Sequence, residues 1–321
     1  MYPFNPGTPA RRIRLLVLPT LAILSLIWLA SAHGVEQEDP RGDDIAVRTL
    51  PTEDAFERFR WYNESFTYSI DILGQTAARA ALSSGYPTLI DDHGVVIPIE
   101  ALATSTGAFH MFYPLRDTAL TYVSPATGLP VWTDKVLDER NEVRQYTVAF
   151  DRDAFRANVT RVRDGRTQEF FRFGPSDLHD ALSWIFDLRS RDLSIGQSYV
   201  YFIYDGWKMS RLTARVTGET AVYTGMGMLD VVELRFTREV LSSQVALPYA
   251  NSLVTLPPVY HVSEGPINLG VGWFTADARR LPVGVAIDTP LGAMRLVIQS
   301  HTPPDRTYVP DPRLGNPAPQ E

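Results

Sequence analysis

Phe66-Thr67-Tyr68-Ser69-Ile70-Asp71-Ile72 is the stretch on which the fold is decided. Large apolar side chains take every second position, and small polar ones lie between them. A period of two sends alternate side chains to opposite faces of an extended strand, one face to a core and the other to solvent. The pattern returns at Tyr146/Val148/Phe150, Leu212/Ala214/Val216, Val232/Leu234/Phe236, Val283/Val285/Ile287 and Met294/Leu296/Ile298. Asp164-Gly165 and Asp205-Gly206 are hairpin dipeptides, predicted to join strands near 155–163 with 166–173 and 198–204 with 207–217. Gly74, Gly218 and Gly292 mark similar junctions. A dozen or so strands at this spacing predict a mainly β protein: a large curled antiparallel sheet or an open β-barrel.

Asp177 to Arg189 departs from the rule. Leu178, Ala181, Leu182, Ile185 and Leu188 fall at helical spacing, Ser176 suits an N-cap, acids fill the first turn and Arg189 and Arg191 lie at the end. The expectation is one main α-helix packed on the concave face of the sheet. A second, short helix is expected near Pro98–Thr104.

Outside this body the composition changes. Arg11, Arg12 and Arg14 precede an apolar run from Leu15 to Ala30, which ends at Ala30-Ser31-Ala32. That run is shorter than the ~20 residues a membrane-crossing helix needs. It reads as a signal peptide over residues 1–32, cut between Ala32 and His33, and the location follows as periplasmic. Left uncut, residues 15–30 would tether the protein to the inner membrane, its one expected membrane contact. Residues 33–52 read as a flexible charged leader, 53–301 as a single β-rich domain, and 302–321 as a Pro-rich tail.

Removing residues 1–32 takes three arginines and no acid, so the net charge moves from −7 to −10. Such a chain is poorly suited to phosphate backbones or anionic lipid headgroups, and nucleic-acid binding is disfavoured. There is no cysteine, which excludes disulfides, thiolate chemistry and a lipidated N-terminal cysteine.

Asp177-x-His179-Asp180 is the one cluster that resembles a catalytic site. An imidazole between carboxylates can act as a general base, so a hydrolase is the alternative function. The structural reading is that these acids complement a helix dipole, and it carries more weight. No second histidine falls at metal-ligand spacing, and no metal or cofactor is expected. Gly225-Met226-Gly227 and Gly270-Val271-Gly272 lack the rest of a dinucleotide loop and read as strand or bulge glycines. The aromatic residues are more informative. Tyr199 to Tyr204 form a strand apolar on both faces, and Trp184, Trp207 and Trp273 lie on elements that should meet near it. Packing between sheet and helix explains such a strand; a lined cavity for an apolar ligand explains it too, with Trp184, Tyr199, Tyr201, Trp207 and Trp273 as candidate ligand-binding residues.

Gly272-Trp273-Phe274-Thr275-Ala276-Asp277-Ala278-Arg279-Arg280-Leu281-Pro282-Val283, followed by a strand and the Pro290-Leu291-Gly292 turn, resembles the closing signature of a bacterial envelope family, domain of unknown function 3108. The Glu64–Tyr68 opening, the Gly74 turn, and the Asp177–Leu188 segment followed by Ile195-Gly196 are similar to that family as well. The Ser84–Gly94 and Leu247–Gly265 stretches depart from its compact pattern and look like insertions. The resemblance implies an exported, mostly β protein with no established catalytic residues to carry over. By fold-level analogy it is similar to the open barrels of periplasmic lipoprotein carriers. The expected function is thus a non-catalytic binding or carrier module for lipid or lipoprotein acyl chains or an envelope protein. A structural envelope component is the third alternative.

Overall fold

A computed structural model describes residues 59, 61–90, 94–140, 142–244, 259–289 and 292–305. The expected signal peptide with its Ala32–His33 cut, the leader, the 245–258 part of the second insertion and the tail beyond Asp305 lie outside the described residues.

The chain first lays down β1 (Ser65–Ile72), β2 (Gln75–Ser84), β3 (Thr88–Ile90) and β4 (Gly94–Ser105), then a short helix, α1 (Gly107–Phe112). Next come β5 (Leu115–Val123), β6 (Pro130–Glu139), β7 (Glu142–Asp151), β8 (Arg156–Arg163) and β9 (Arg166–Phe173). Helix α2 (Ser183–Ser190) leads to β10 (Ser198–Tyr204), β11 (Met209–Thr224), β12 (Gly227–Gln244), β13 (Val259–Thr275), β14 (Pro282–Thr289) and β15 (Gly292–Thr302). All ladders are antiparallel, in the order β10-β11-β12-β13-β14-β15-β1-β2-β4-β5-β6-β7-β8-β9, with β3 paired to β4 alone. Neighbours along the sheet are neighbours along the chain except where β2 pairs with β4, past β3, and at the β15–β1 seam, where Ser65 pairs with Thr302.

This order corrects the expectation of a large curled sheet or an open β-barrel around the helix. Closure needs a ladder between the two ends of the path, and none joins β9 to β10 among the described residues. The reason is local. His179 occupies the outer edge of β10: its N–H donates to Phe202 O at 2.8 Å, and Tyr204 N–H donates to its carbonyl at 2.9 Å. The sheet is large, open and antiparallel, with one main helix on one face.

The same bridge shortens that helix. The spacing predicted a helix over 177–189, yet α2 begins at Ser183, because His179 is held extended against β10. Ser176 is not the cap. Instead Asp180 Oδ1 accepts from Ser183 N–H at 2.8 Å, while Ser183 Oγ accepts from Asp180 N–H at 3.2 Å. The second predicted helix, 98–104, is strand: Ile97, Ile99, Ala101 and Ala103 alternate inward in β4. Gly218 lies at a bulge inside β11 rather than at a junction, and Gly225-Met226 make the β11–β12 turn. The Asp164-Gly165 and Asp205-Gly206 turns join β8 to β9 and β10 to β11 as expected. The strand apolar on both faces is buried on both only from Tyr201 to Tyr204.

Phe66, Tyr68 and Ile70 face the core and stand opposite Leu82, Ala80 and Ala78 of β2. The alanines continue through Ala101, Ala103 and Ala119, and these small side chains leave room for a layer above the sheet. Leu182 and Phe186 enter that layer, with Phe186 stacked on Phe59 at 5.3 Å. Leu188 joins a second cluster with Tyr201, Leu212 and Leu234. A buried ion pair fixes the helix end. Arg189 Nη1 and Nη2 donate to Glu64 Oε2 and Oε1 at 2.6 and 3.0 Å, with the two side chains 0% and 1% exposed. Arg189 Nε and Nη2 also donate to the carbonyls of Arg280 and Arg279, and its guanidinium lies 4.4 Å from the Trp61 ring centre.

Candidate functional site

Where α2 and the segment before it pass over the alanine-lined sheet, they leave a partly open cavity of about 120 Å³. Ala181, Leu182, Trp184 and Ile185 form its roof. Tyr68, Ala81, Leu82 and Ala101 form one wall; Leu212, Phe236, Leu269 and Trp273 another; Pro282, Val285, Ile287 and Leu296 the floor. Gly272 and Gly284 also line it. A Cβ on Gly272 would collide with the Phe236 ring, so glycine there is what lets Phe236 lie flat against β13.

The polar atoms of the aromatic lining are spent on the protein. Tyr68 Oη donates to Pro282 O at 3.0 Å, and burial pushes its hydroxyl well above the ordinary tyrosine range. Trp184 Nε1 donates to Ala181 O at 3.0 Å and Trp273 Nε1 to Glu233 Oε2 at 3.4 Å. Trp184 meets Phe236 edge-to-face at 5.7 Å and 79°. The wall that remains for a ligand is hydrocarbon and aromatic face.

Of the five aromatic residues singled out in the sequence, Trp184 and Trp273 line this cavity. Tyr201 is buried beside it, its hydroxyl donating to Asp187 Oδ2 at 2.9 Å. Tyr199 is half-buried against the cluster of Tyr201, Leu212 and Leu234, and its hydroxyl donates to Asp192 O. Trp207 sits 42% exposed beyond the Asp205-Gly206 turn, with the Arg161 guanidinium 4.8 Å from its ring. Tyr68, Leu212, Phe236 and Leu296 were legible only as core: alternation shows that a side chain points inward, not whether it meets a neighbour or a void.

The Asp177/His179/Asp180 cluster is drawn into structure. Asp180 Oδ2 accepts from Thr121 Oγ1, and from Thr133 Oγ1 at 3.3 Å, while Oδ1 caps α2. His179 Nδ1 lies 3.0 Å from Ser183 Oγ, and its ring meets Tyr201 edge-on at 5.4 Å. Burial holds the imidazole down to about 4, against the pull of Asp187 and Asp180. In this setting Asp180 ties α2 to β5 and β6 and His179 pins the connection to β10. Among the described residues, no group of three or more His, Asp or Glu side chains is arranged to hold a metal ion, and no helix is long and apolar enough to cross a membrane.

One polar cluster escaped the sequence reading. Asp117 is fully buried on β5, opposite Leu137 and two positions from Glu139 on β6, and its Oδ1 accepts from Asp138 N–H at 3.1 Å. Burial and the neighbouring Glu139 push Asp117 up to about 8. Glu139 in turn accepts from Arg144 Nη2 at 2.5 Å. Nearby, Lys135 is buried and shifted down, and it donates to Asp205 O.

A sequence model described as "Protein of unknown function (DUF3108)" matches residues 67–299. No curated protein matches the chain. Among solved structures, the chain is similar to a beta-barrel-like protein of domain of unknown function DUF1849 from Brucella abortus, at 10% identity and a TM-score of 0.46, over 77% of this chain and 100% of that one. It is also similar to a Bacteroides fragilis protein with a YmcC-like fold, at 5% identity and a TM-score of 0.26, over 75% of this chain and 96% of that one.

Proposed function

The chain belongs to the DUF3108 family, whose function is unknown, and from that premise we propose that it is an exported, non-catalytic carrier or binding module for acyl chains. The observation that carries this reading is the chemistry of the cavity. Tyr68, Trp184 and Trp273 each have their polar atom bonded to the protein, so the wall offers a ligand no hydrogen-bonding partner from these rings. A polar ligand would lose its hydration there without replacement. An unfunctionalised hydrocarbon loses nothing and gains burial, roughly 0.8 kcal/mol for each CH₂. The volume, about 120 Å³, is in the class of apolar cavities that stay dry and take a benzene-sized guest. Because the cavity is partly open, a longer chain would seat one segment and run out through the opening.

The location proposed with it is the periplasm, from the basic n-region, the apolar run 15–30 and the Ala30-Ser31-Ala32 site. Acyl chains of a lipid or of a lipoprotein present the same chemistry to this wall. The test is solvent extraction of the protein purified from a bacterial envelope, with mass spectrometry of the extract and thermal melts with added fatty acid. Acyl lipid in the extract and a melt raised by fatty acid are expected. In Ala101→Phe, which fills the cavity from its β4 wall, both should vanish while the far-UV circular dichroism stays unchanged. An extract without lipid, together with melts that ignore fatty acid, would overturn the proposal.

A further inference from the structure

At one end of the sheet the molecule shows apolar side chains that its own packing does not use. Met111 and Phe112 of α1 are the two most exposed large apolar residues among those described, at 80% and 77%, and Leu73 in the β1–β2 turn is 73% exposed. The pairings Ile72↔Gln75, Ala78↔Ser105, Thr104↔Arg116 and Leu115↔Glu139 place the β1–β2 turn, α1 and the β6–β7 turn together at that end. Thr106 N–H donates to Ala77 O at 2.9 Å, which ties the root of α1 to the β1–β2 hairpin. Leu73 has φ +52°, a left-handed conformation that Asn or Gly adopts with less strain than a bulky residue. The turn therefore holds a leucine against its own backbone preference, and holds it in water.

Two of the polar groups nearby are engaged within the protein. Asp71 accepts from Thr76 and Ser69, and His110 Nδ1 bonds Ser105 Oγ at 2.8 Å. Behind the apolar tips, the Arg140 guanidinium lies 4.8 Å from the Tyr113 ring centre. An aromatic ring with a cation over it, set behind projecting apolar residues, matches the order of a lipid interface: acyl region first, headgroup phosphates next. A rigid protein partner would have to match two separate projections, whereas a bilayer accepts both.

We infer that this end of the molecule docks on a lipid bilayer, with Leu73, Met111 and Phe112 entering the acyl boundary and Arg140 meeting the phosphates. The inference stands apart from the cavity: either can fail while the other holds. The absence of cysteine gives a clean probe. In the full chain, Met111→Cys labelled with a polarity-sensitive fluorophore should shift to the blue on adding vesicles of phosphatidylethanolamine and phosphatidylglycerol. Tyr223→Cys, exposed on the β11–β12 hairpin, should not shift, which separates insertion of the tip from adsorption through the N-terminal segment. Adding Leu73→Asn and Phe112→Gln should weaken the response about tenfold or more. Leu73→Asn also suits the turn, so a loss cannot be ascribed to misfolding. No shift at 111, an equal shift at 223, or a response unchanged in the double-substituted background overturns the inference. A shift that needs no vesicles and grows with protein concentration also overturns it, in favour of self-association.

Discussion

Replacing Arg189 by Met should cost this protein more than most single substitutions. The change keeps the length and apolar stem of the side chain and removes its charge. Glu64 is then left in a site where it is 1% exposed, without two hydrogen bonds of 2.6 and 3.0 Å. His301 Nε2, at 2.8 Å, stays beside it. The carbonyls of Arg279 and Arg280 lose a donor too, but they belong to a segment near the surface that water can reach. Breaking one side of a buried pair costs about 3–5 kcal/mol, because a charge stays behind without its partner. For a domain of this size, each kcal/mol moves Tm by about 2–4 °C, so a drop of about 6–20 °C is expected. Urea unfolding followed by tryptophan fluorescence measures the same quantity at fixed temperature. The companion is Glu64→Leu with Arg189→Met, in which neither charge remains. Apolar replacement of a whole buried pair is often neutral, so the double variant should recover most of the loss. If Arg189→Met loses less than about 1 kcal/mol, or the double variant is as weak as the single, the pair does not lock α2 to the sheet and the reasoning fails.

Four further outcomes follow from two buried groups and from two glycines. His179 is held down to about 4 when folded, against about 6.5 when unfolded. The unfolded chain thus binds the extra proton between those values, and stability rises with pH across that window by up to about 3 kcal/mol; urea midpoints of His179→Gln should lack that part of the slope. Asp117 has the opposite sign. Raised to about 8, it keeps its proton in the fold when the unfolded chain has lost it, so stability falls as pH rises towards 8. Between pH 6.5 and 8, where His179 no longer contributes, the loss is about 2 kcal/mol, and it should disappear in Asp117→Asn. A parent protein with no pH dependence there would refute the carboxyl pair. Gly284→Ala drives a Cβ into the Leu296 carbonyl at φ +157° and should abolish soluble folding or cost several kcal/mol. Gly218→Ala meets open space and should stay within about 0.5 kcal/mol in the same melt.

How far the fold could be read depended on the range of the interaction that set each part. Phe66, Tyr68 and Ile70 announce their strand because alternation is a local property of the chain. The Asp164-Gly165 turn does so as well, since φ values of +51° and +71° are what such a dipeptide supplies. The helical spacing from Leu178 to Leu188 was equally clear, but a backbone bridge to Phe202 and Tyr204 overrode its first half. The open edges of the sheet had no local signature, because closure depends on whether two distant strands meet. The site divides the same way. Trp184 and Trp273 stood out by residue type, while Tyr68 and Phe236 were indistinguishable from core. Asp117 and Glu139 become a pair only through the register Leu115↔Glu139.

The strand order has a kinetic consequence. Every ladder but one joins strands close in sequence, so β1–β9 and β10–β15 can each form as a meander from local contacts. The β15–β1 seam alone must bring together residues as far apart as Thr67 and Ser300, separated by 233 positions. Closing so long a loop costs about 5 kcal/mol of chain entropy before the seam returns anything. The seam should therefore form last and set the folding rate. Because Ser65 and Thr302 end side by side, joining them and opening the chain between β9 and α2 would turn this late, distant pairing into an ordinary hairpin.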